Sequence, residues 1–426
     1  MASLNMLSAV EVAAAISAGS ITSEELTAAC ISRIREREED VGAWQYIDHE
    51  AALSAARACD AGPSRGPLHG VPVGVKDNFD TVDMPTGYGS EIYKDHRPVW
   101  DAACVALLKA AGAIILGKTV TSEFAAYTWG KTRNPLDLSL TTGISSMGSA
   151  AAVADHMVPA ALGSQTSGSI LRPASFCGVV GYKPSYGLFN RSGMRPLAES
   201  LDTAGFFTRS VADIALFSAV LADEPYRPLS PLDSAPRIGV CATHSWDMAS
   251  PAAQTAFVEA RGRISATNTK VVEIILPEPF AGLNDALVTV LQYEAARAFA
   301  YEYAERRSSL SVNFRNLVEQ GRACTRERYE AAQDLGRRCG EQIAAIFKEV
   351  DVIMTLGAEC EPRPASDPVG NSVFNRLWTM LRLPCVNLPL MRSARGLPIG
   401  IQLVGPAGQD GHLLSCADWI NARFAR

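Results

Sequence analysis

The chain contains no C-x-x-C pair, no H-E-x-x-H or H-x-H pair and no G-x-S-x-G turn. The first absence leaves its ten cysteines without metal-ligand spacing, and the segments around them ("FCGVVGY", "LPCVNLPL") suit small buried hydrophobes. The second gives metal catalysis little support from the six histidines (His49, His69, His96, His156, His244, His412). The third weakens a Ser-His-Asp hydrolase of the usual α/β kind. Positive charge is also short: the net charge is −6 at pH 7, which argues against nucleic acid or an anionic membrane as the main partner. No apolar run approaches the roughly 18 residues that span a bilayer. The opening "MASLNMLSAVEVAAAISAGS" lacks a basic region and carries Glu11 in its apolar run, so it reads as an amphipathic helix rather than a signal peptide. A cytoplasmic location is expected.

What is present is a soluble composition, 47% hydrophobic and 20% charged over 426 residues. "SITSEELTAACISRIREREED" begins with a capping box, Thr22 with Glu25, and repeats Leu26, Cys30 and Ile34 at helical spacing. Short buried strands are predicted at "GVPVGVKDNFD", "AIILGKT", "GVVGYKP", "RIGVCA", "KVVEIILP", "VDVIMTL" and "PIGIQLVGP". Helices are predicted at Ser149 to Ala161 and roughly Arg326 to Val350, among others. Strands interleaved with helices predict an α/β fold with a mixed, largely parallel central sheet covered by helices on both faces. The Pro-rich "YRPLSPLDSAPR" (226–237) is the best lobe boundary within a single domain spanning 1–426.

"GAIILGKT" (112–119) matches a phosphate-loop pattern in letters only, because Ala-Ile-Ile-Leu between the glycines is a stiff apolar strand. More informative is "GSQTSGSILRPASFCG" (163–178), too flexible for a helix interior and too poor in alternation for a half-buried strand. It suits a serine nucleophile ringed by backbone amides, or a solvated loop. A nucleophile needs a base. His156, in "DHMVP", reads as a surface residue at a helix start, which leaves a desolvated lysine. Lysine is scarce, eight against 31 arginines. Lys76 and Lys118 each follow a buried strand and share the expectation evenly; Lys94, Lys131, Lys270 and Lys348 lie in polar surroundings, and Lys183 reads as structural. Just upstream, "GISSMGSAAAVADHMVPAALGS" sets a serine pair before an Ala-rich helix, where hydroxyls and amides can meet.

Together these segments resemble the amidase signature family of serine hydrolases. The resemblance runs through "GPLHGVPVGVKDNFDT…MPTGYGS", "GKTVTSEFA", "GKTRNP", "SSMGSAAAVADHMVPAALGSQTSGSILRPASFCGVVGYKPSYG" and "FNRLWTMLRLPCVNLPL…GLPIGIQLVGPAGQD", in the family's order. It implies a Ser-cisSer-Lys triad: Lys76 as base, Ser145 as the bridging serine after a cis peptide, and Ser169 as nucleophile. It implies an oxyanion hole from the amides of Thr166, Ser167, Gly168 and Ser169, an acyl-enzyme, and no metal or organic cofactor. Three positions depart from the family pattern: Ile144 follows Gly143 where Gly-Gly is usual, Met147 replaces Gly or Ser, and Ser167 replaces Gly.

Arg172, three residues after Ser169, matches the arginine that holds a substrate carboxylate in malonamidase-like members; the alternative is an arginine paired with a buried acid. Ile144, Met147 and Leu138 instead suggest an apolar pocket rim for aryl or alkyl amides, or carbamates (urethanes). The expectation is a broad amide or carbamate hydrolase acting on a small molecule, without nucleic acid or membrane, with a homodimer open. The alternatives are the amidase subunit of a tRNA-dependent amidotransferase and a catalytically silent member.

Overall fold

The computed structural model describes residues 3–424 apart from 127, 268 and 369. Eleven strands make one sheet. They are β1 (Trp44–Ile47), β2 (Pro72–Lys76), β3 (Ile114–Thr119), β4 (Ala160–Gln165), β5 (Val180–Lys183), β6 (Thr203–Thr208), β7 (Ile238–Val240), β8 (Val271–Glu273), β9 (Val352–Leu356), β10 (Cys385–Arg392) and β11 (Pro398–Val404). Their order is β1-β3-β2-β4-β6-β5-β10-β11-β9-β7-β8. The sheet is mixed. Parallel pairing joins β3, β2 and β4 near one end, where β1 adds antiparallel to β3, and β9, β7 and β8 at the other, and the pairs between are antiparallel.

Alternation across the pleat shows that both faces are covered. Met354, Val386 and Leu403 join a core with helices Pro251–Ser265 and Asp410–Phe424. Their neighbours Ile353, Cys385 and Val404 join a second core with helices Leu283–Ala298, Val312–Ala323, Arg326–Ile346 and Val373–Met380. All seven predicted strands form, six of them buried; β8, at the edge of the sheet, is partly exposed instead. The capping box at Thr22 also forms: Glu25 N donates to Thr22 Oγ1 and Thr22 N to Glu25 Oε2, starting helix Ser23–Val41. Eight of the ten cysteines are buried, and "AIILGKT" is the buried β3. Segment 226–237 carries no helix or strand and leads into β7 of the same sheet. No helix among the described residues is long and apolar enough to cross a membrane.

The sequence reading misplaces one region. The helix predicted from Ser149 to Ala161 spans Met147–Ala154 instead; the chain turns at Asp155 and His156 (φ +56°), and β4 begins at Ala160. His156 therefore follows a helix and is half-buried, not at a helix start on the surface. The run 163–178, expected to be neither strand nor helix, supplies the end of β4 and the helix Leu171–Cys177. Alanine and glycine mislead because they suit a helix and equally a strand squeezed between neighbours. A Cβ on Gly163 would meet the Phe207 ring of β6 at 2.7 Å.

Candidate active site

β2 and β4 run parallel, so Lys76 and Gln165 end adjacent strands at the same edge, where open α/β sheets place their ligands. After Lys76 the chain turns at once, with Asn78 N and Phe79 N donating back to the Lys76 carbonyl. Lys76 is fully buried, and its Nζ lies 2.8 Å from Ser145 Oγ, 2.9 Å from Ser164 Oγ and 3.4 Å from Ser164 O. Asn78 Nδ2 donates to the same Ser164 hydroxyl at 3.0 Å. Among the described residues no carboxylate lies within ion-pairing distance of Nζ. Burial pulls the lysine pKa from 10.5 down to about 7, against a smaller upward pull from Asp202.

Lys118, on the next strand, has a different environment. Its Nζ pairs with Asp77 Oδ1 at 3.1 Å and donates to Thr86 Oγ1 at 2.6 Å. Burial lowers its pKa while Asp77 raises it, so the partner favours the cation. The two lysines that look equal in the sequence are thus separated by one carboxylate. Lys183 is buried with Nζ on the Pro184 carbonyl, and Lys94, Lys131, Lys270 and Lys348 are exposed.

Ser145 follows a cis peptide bond from Ile144 and sits just before helix Met147–Ala154. Its neighbour Ser146 ties this loop to β4 by donating to Ser164 O and accepting from Ser164 N. Ser169 stands past the end of β4, half-exposed, and its hydroxyl makes no hydrogen bond among the described residues. The turn around it is clamped from below: Gln165 Oε1 accepts the amides of Ile170 and Leu171 at 2.9 and 3.1 Å. Gln165 Nε2 donates to Thr379 Oγ1, which in turn donates to Ser167 O. The amides of Ser167, Gly168 and Ser169 donate to no acceptor among the described residues. Gly168 is pressed against helix Val373–Met380, where a Cβ would come within 2.6 Å of Asn375 Oδ1. Thr166 Oγ1 bonds the buried Asp202 at 2.5 Å, and burial raises the Asp202 pKa to about 6.

The departures from the family pattern are accommodated. Ile144 and Met147 are buried; the sulfur of Met147 packs towards Gly130, and neither side chain forms an exposed rim. Leu138 is half-buried. Ser167 Oγ lies 2.7 Å from Ser372 Oγ, so the added hydroxyl has a partner. Arg172 is buried, with Nη2 3.5 Å from the Ile144 carbonyl, against the segment 357–372. Sequence reasoning missed Ser164, Asn78, Gln165 and Asp202. The first three stand inside segments already quoted for other residues; Asp202 is far along the chain, and no spacing signals it.

The fold and its likenesses define the class: an α/β enzyme among the amide hydrolases. The chain belongs to the amidase family, whose profile matches residues 25–414. It is 32% identical over 494 aligned residues to a subunit of the mitochondrial glutamyl-tRNA(Gln) amidotransferase of Rattus norvegicus, covering 96% of this chain and 92% of that one. Among solved structures it is similar to an amidase crystal structure, with TM-score 0.91, 30% identity and coverage of 98% and 100%. The native peptide amidase of Stenotrophomonas maltophilia gives TM-score 0.82 and 28% identity, with coverage of 98% and 97%.

Proposed function

We propose that this chain hydrolyses small amides, or carbamates, through an acyl-enzyme on Ser169, with Lys76 as base acting through Ser145. The observation that carries the reading is the fully buried Lys76 Nζ, 2.8 Å from Ser145 Oγ, with a pKa near 7. A neutral amine at that position accepts the Ser145 proton while Ser145 accepts that of Ser169, and Ser169 Oγ attacks the substrate carbonyl. The amides of Thr166, Ser167, Gly168 and Ser169 face the oxygen on which charge develops; one such donor is worth about 2.7–4 kcal/mol in rate. The relay returns the proton to the leaving nitrogen, and water repeats the sequence on the acyl group. No metal or organic cofactor enters these steps. The chain acts in this reading as one cytoplasmic unit, with self-association compatible.

A second reading, the amidase subunit of a tRNA-dependent amidotransferase, is favoured by the rat relative. Hydrolysis of malonamate, a short aliphatic amide, an anilide and an aryl carbamate by the isolated chain separates the two. Turnover abolished by Ser169→Ala supports the hydrolase. A folded chain inert to the whole panel supports the partner-dependent reading.

A further inference from the structure

Three lysines are fully buried on strands of this sheet, and each is received differently. Lys118 meets the Asp77 carboxylate and Lys183 the Pro184 carbonyl. Lys76 Nζ meets three neutral oxygens: Ser145 Oγ at 2.8 Å, Ser164 Oγ at 2.9 Å and Ser164 O at 3.4 Å. Two of the three belong to Ser164, to which the mechanism assigns nothing. Ser164 is held firmly. It pairs with Ala204 of β6, Ser146 bonds both its N–H and its carbonyl, and its hydroxyl accepts Asn78 Nδ2 as well as Nζ.

The number of hydrogens on Nζ decides what this arrangement favours. An ammonium has three N–H groups and no lone pair; a neutral amine has two and one. The ammonium finds an acceptor for every N–H. The neutral amine gives its two N–H groups to the Ser164 oxygens and turns its lone pair to the Ser145 hydroxyl, its nearest neighbour. We propose that Ser164 is a positioning residue that sets the strength of the base: it supplies two of the three acceptors that hold the ammonium formed when Lys76 takes the Ser145 proton, and it leaves the lone pair of the resting amine free for that proton. The inference rests on Lys76 as base acting through Ser145 towards Ser169.

Hydrogen bonds to the charged form offset part of the desolvation that brings the amine down to about 7. A carboxylate in place of Ser164 would favour the cation at rest, as Asp77 does for Lys118. The charged groups around Lys76 leave this role to neutral oxygens. From the turn after β2, Asp77 pairs with Lys118 and Asp80 accepts the Tyr88 hydroxyl. Arg195, whose amide bonds Asn78 O, pairs with Glu302. Asp202, just before β6, draws the Lys76 pKa up without contacting Nζ, and β4 and the serine pair at 145–146 bring no charge.

Ser164→Ala removes one acceptor and keeps the carbonyl. The acid limb of kcat/KM, near pH 7 in the unmodified chain, is expected to move down by about one pH unit or more, the worth of a hydrogen bond to a charged donor. The plateau is expected to fall several-fold, because a weaker base draws the proton less readily. Ser164→Thr, which keeps the hydroxyl, is expected to restore the limb. A limb that stays in place while the rate falls marks a structural role and overturns the proposal, as does a limb that moves up. Asp202 is common to both chains, so its pull does not enter the difference. With eight lysines in the chain, 13C at the lysine Cε carbons lets Lys76 be titrated by NMR in the Ser169→Ala background, its signal assigned by Lys76→Met. A lower midpoint in Ser164→Ala supports the proposal and equal midpoints overturn it, whether or not any substrate turns over. Hydrolysis that survives Ser169→Ala removes the nucleophile reading instead, so the two failures are distinguishable.

Discussion

Replacing Lys76 by methionine is expected to abolish turnover and, at neutral pH, to give back stability that the buried amine costs. Folding lowers the Lys76 pKa from 10.5 to about 7 by burial. Below about pH 7 both folded and unfolded chains hold the proton, and stability does not vary with pH through this group. Between about 7 and 10.5 the unfolded chain holds a proton that the native chain has released, so native stability rises with pH. Above 10.5 both are neutral. The whole interval corresponds to about 5 kcal/mol, at roughly 1.4 kcal/mol per pH unit. Methionine also removes the bonds to Ser145 and Ser164, each worth about 1 kcal/mol, but that loss does not vary with pH across the interval. Lys118 and Lys183, whose pKa values burial also lowers, are common to both proteins and cancel. Urea unfolding of both chains from pH 6 to 9.5 reads the difference directly. The unmodified chain is expected to gain on Lys76→Met by about 1.4 kcal/mol per unit above pH 7 and to run parallel to it below. Parallel profiles throughout would refute the desolvation argument.

The same pKa predicts that kcat/KM falls about tenfold per pH unit below about 7 and levels off above it, because only the neutral amine accepts a proton. Gln165→Ala strands the amides of Ile170 and Leu171 beneath the nucleophile turn, at about 1–3 kcal/mol each. Thermal denaturation is expected to show the loss and kinetics a larger effect on kcat than on KM, with Gln165→Glu restoring part of both. Asp77→Ala leaves the buried Lys118 without its counter-charge and is expected to destabilise the fold by about 3–5 kcal/mol, measured by urea unfolding.

The parts of this arrangement that follow from local pattern were legible in the sequence. Thr22 and Glu25 are three residues apart and cap a helix by themselves, and β2, β3 and β11 announce themselves as apolar runs ending at glycine, proline or charge. Period and composition failed where small residues serve two structures: Ala160 and Ala161 read as helix yet pair with Thr208 and Phe207 of β6. The choice between Lys76 and Lys118 could not be made locally, because both end buried strands. What divides them is Asp77, which turns away from Lys76, its neighbour in sequence, to pair with Lys118 on the adjacent strand. Only the resemblance to a family pointed to Lys76. Asp202 reaches the site from a distant segment, and a carboxylate brought in by tertiary folding leaves no mark on the spacing around a serine.

The most direct test of the account is to quench the chain during turnover of a slow aryl carbamate and map the modified peptide by mass spectrometry. The account predicts a carbamoyl group on Ser169, absent from Ser169→Ala and formed more slowly as the pH drops below about 7. Steady turnover with no adduct on Ser169, or an adduct carried by Ser145 instead, would contradict it.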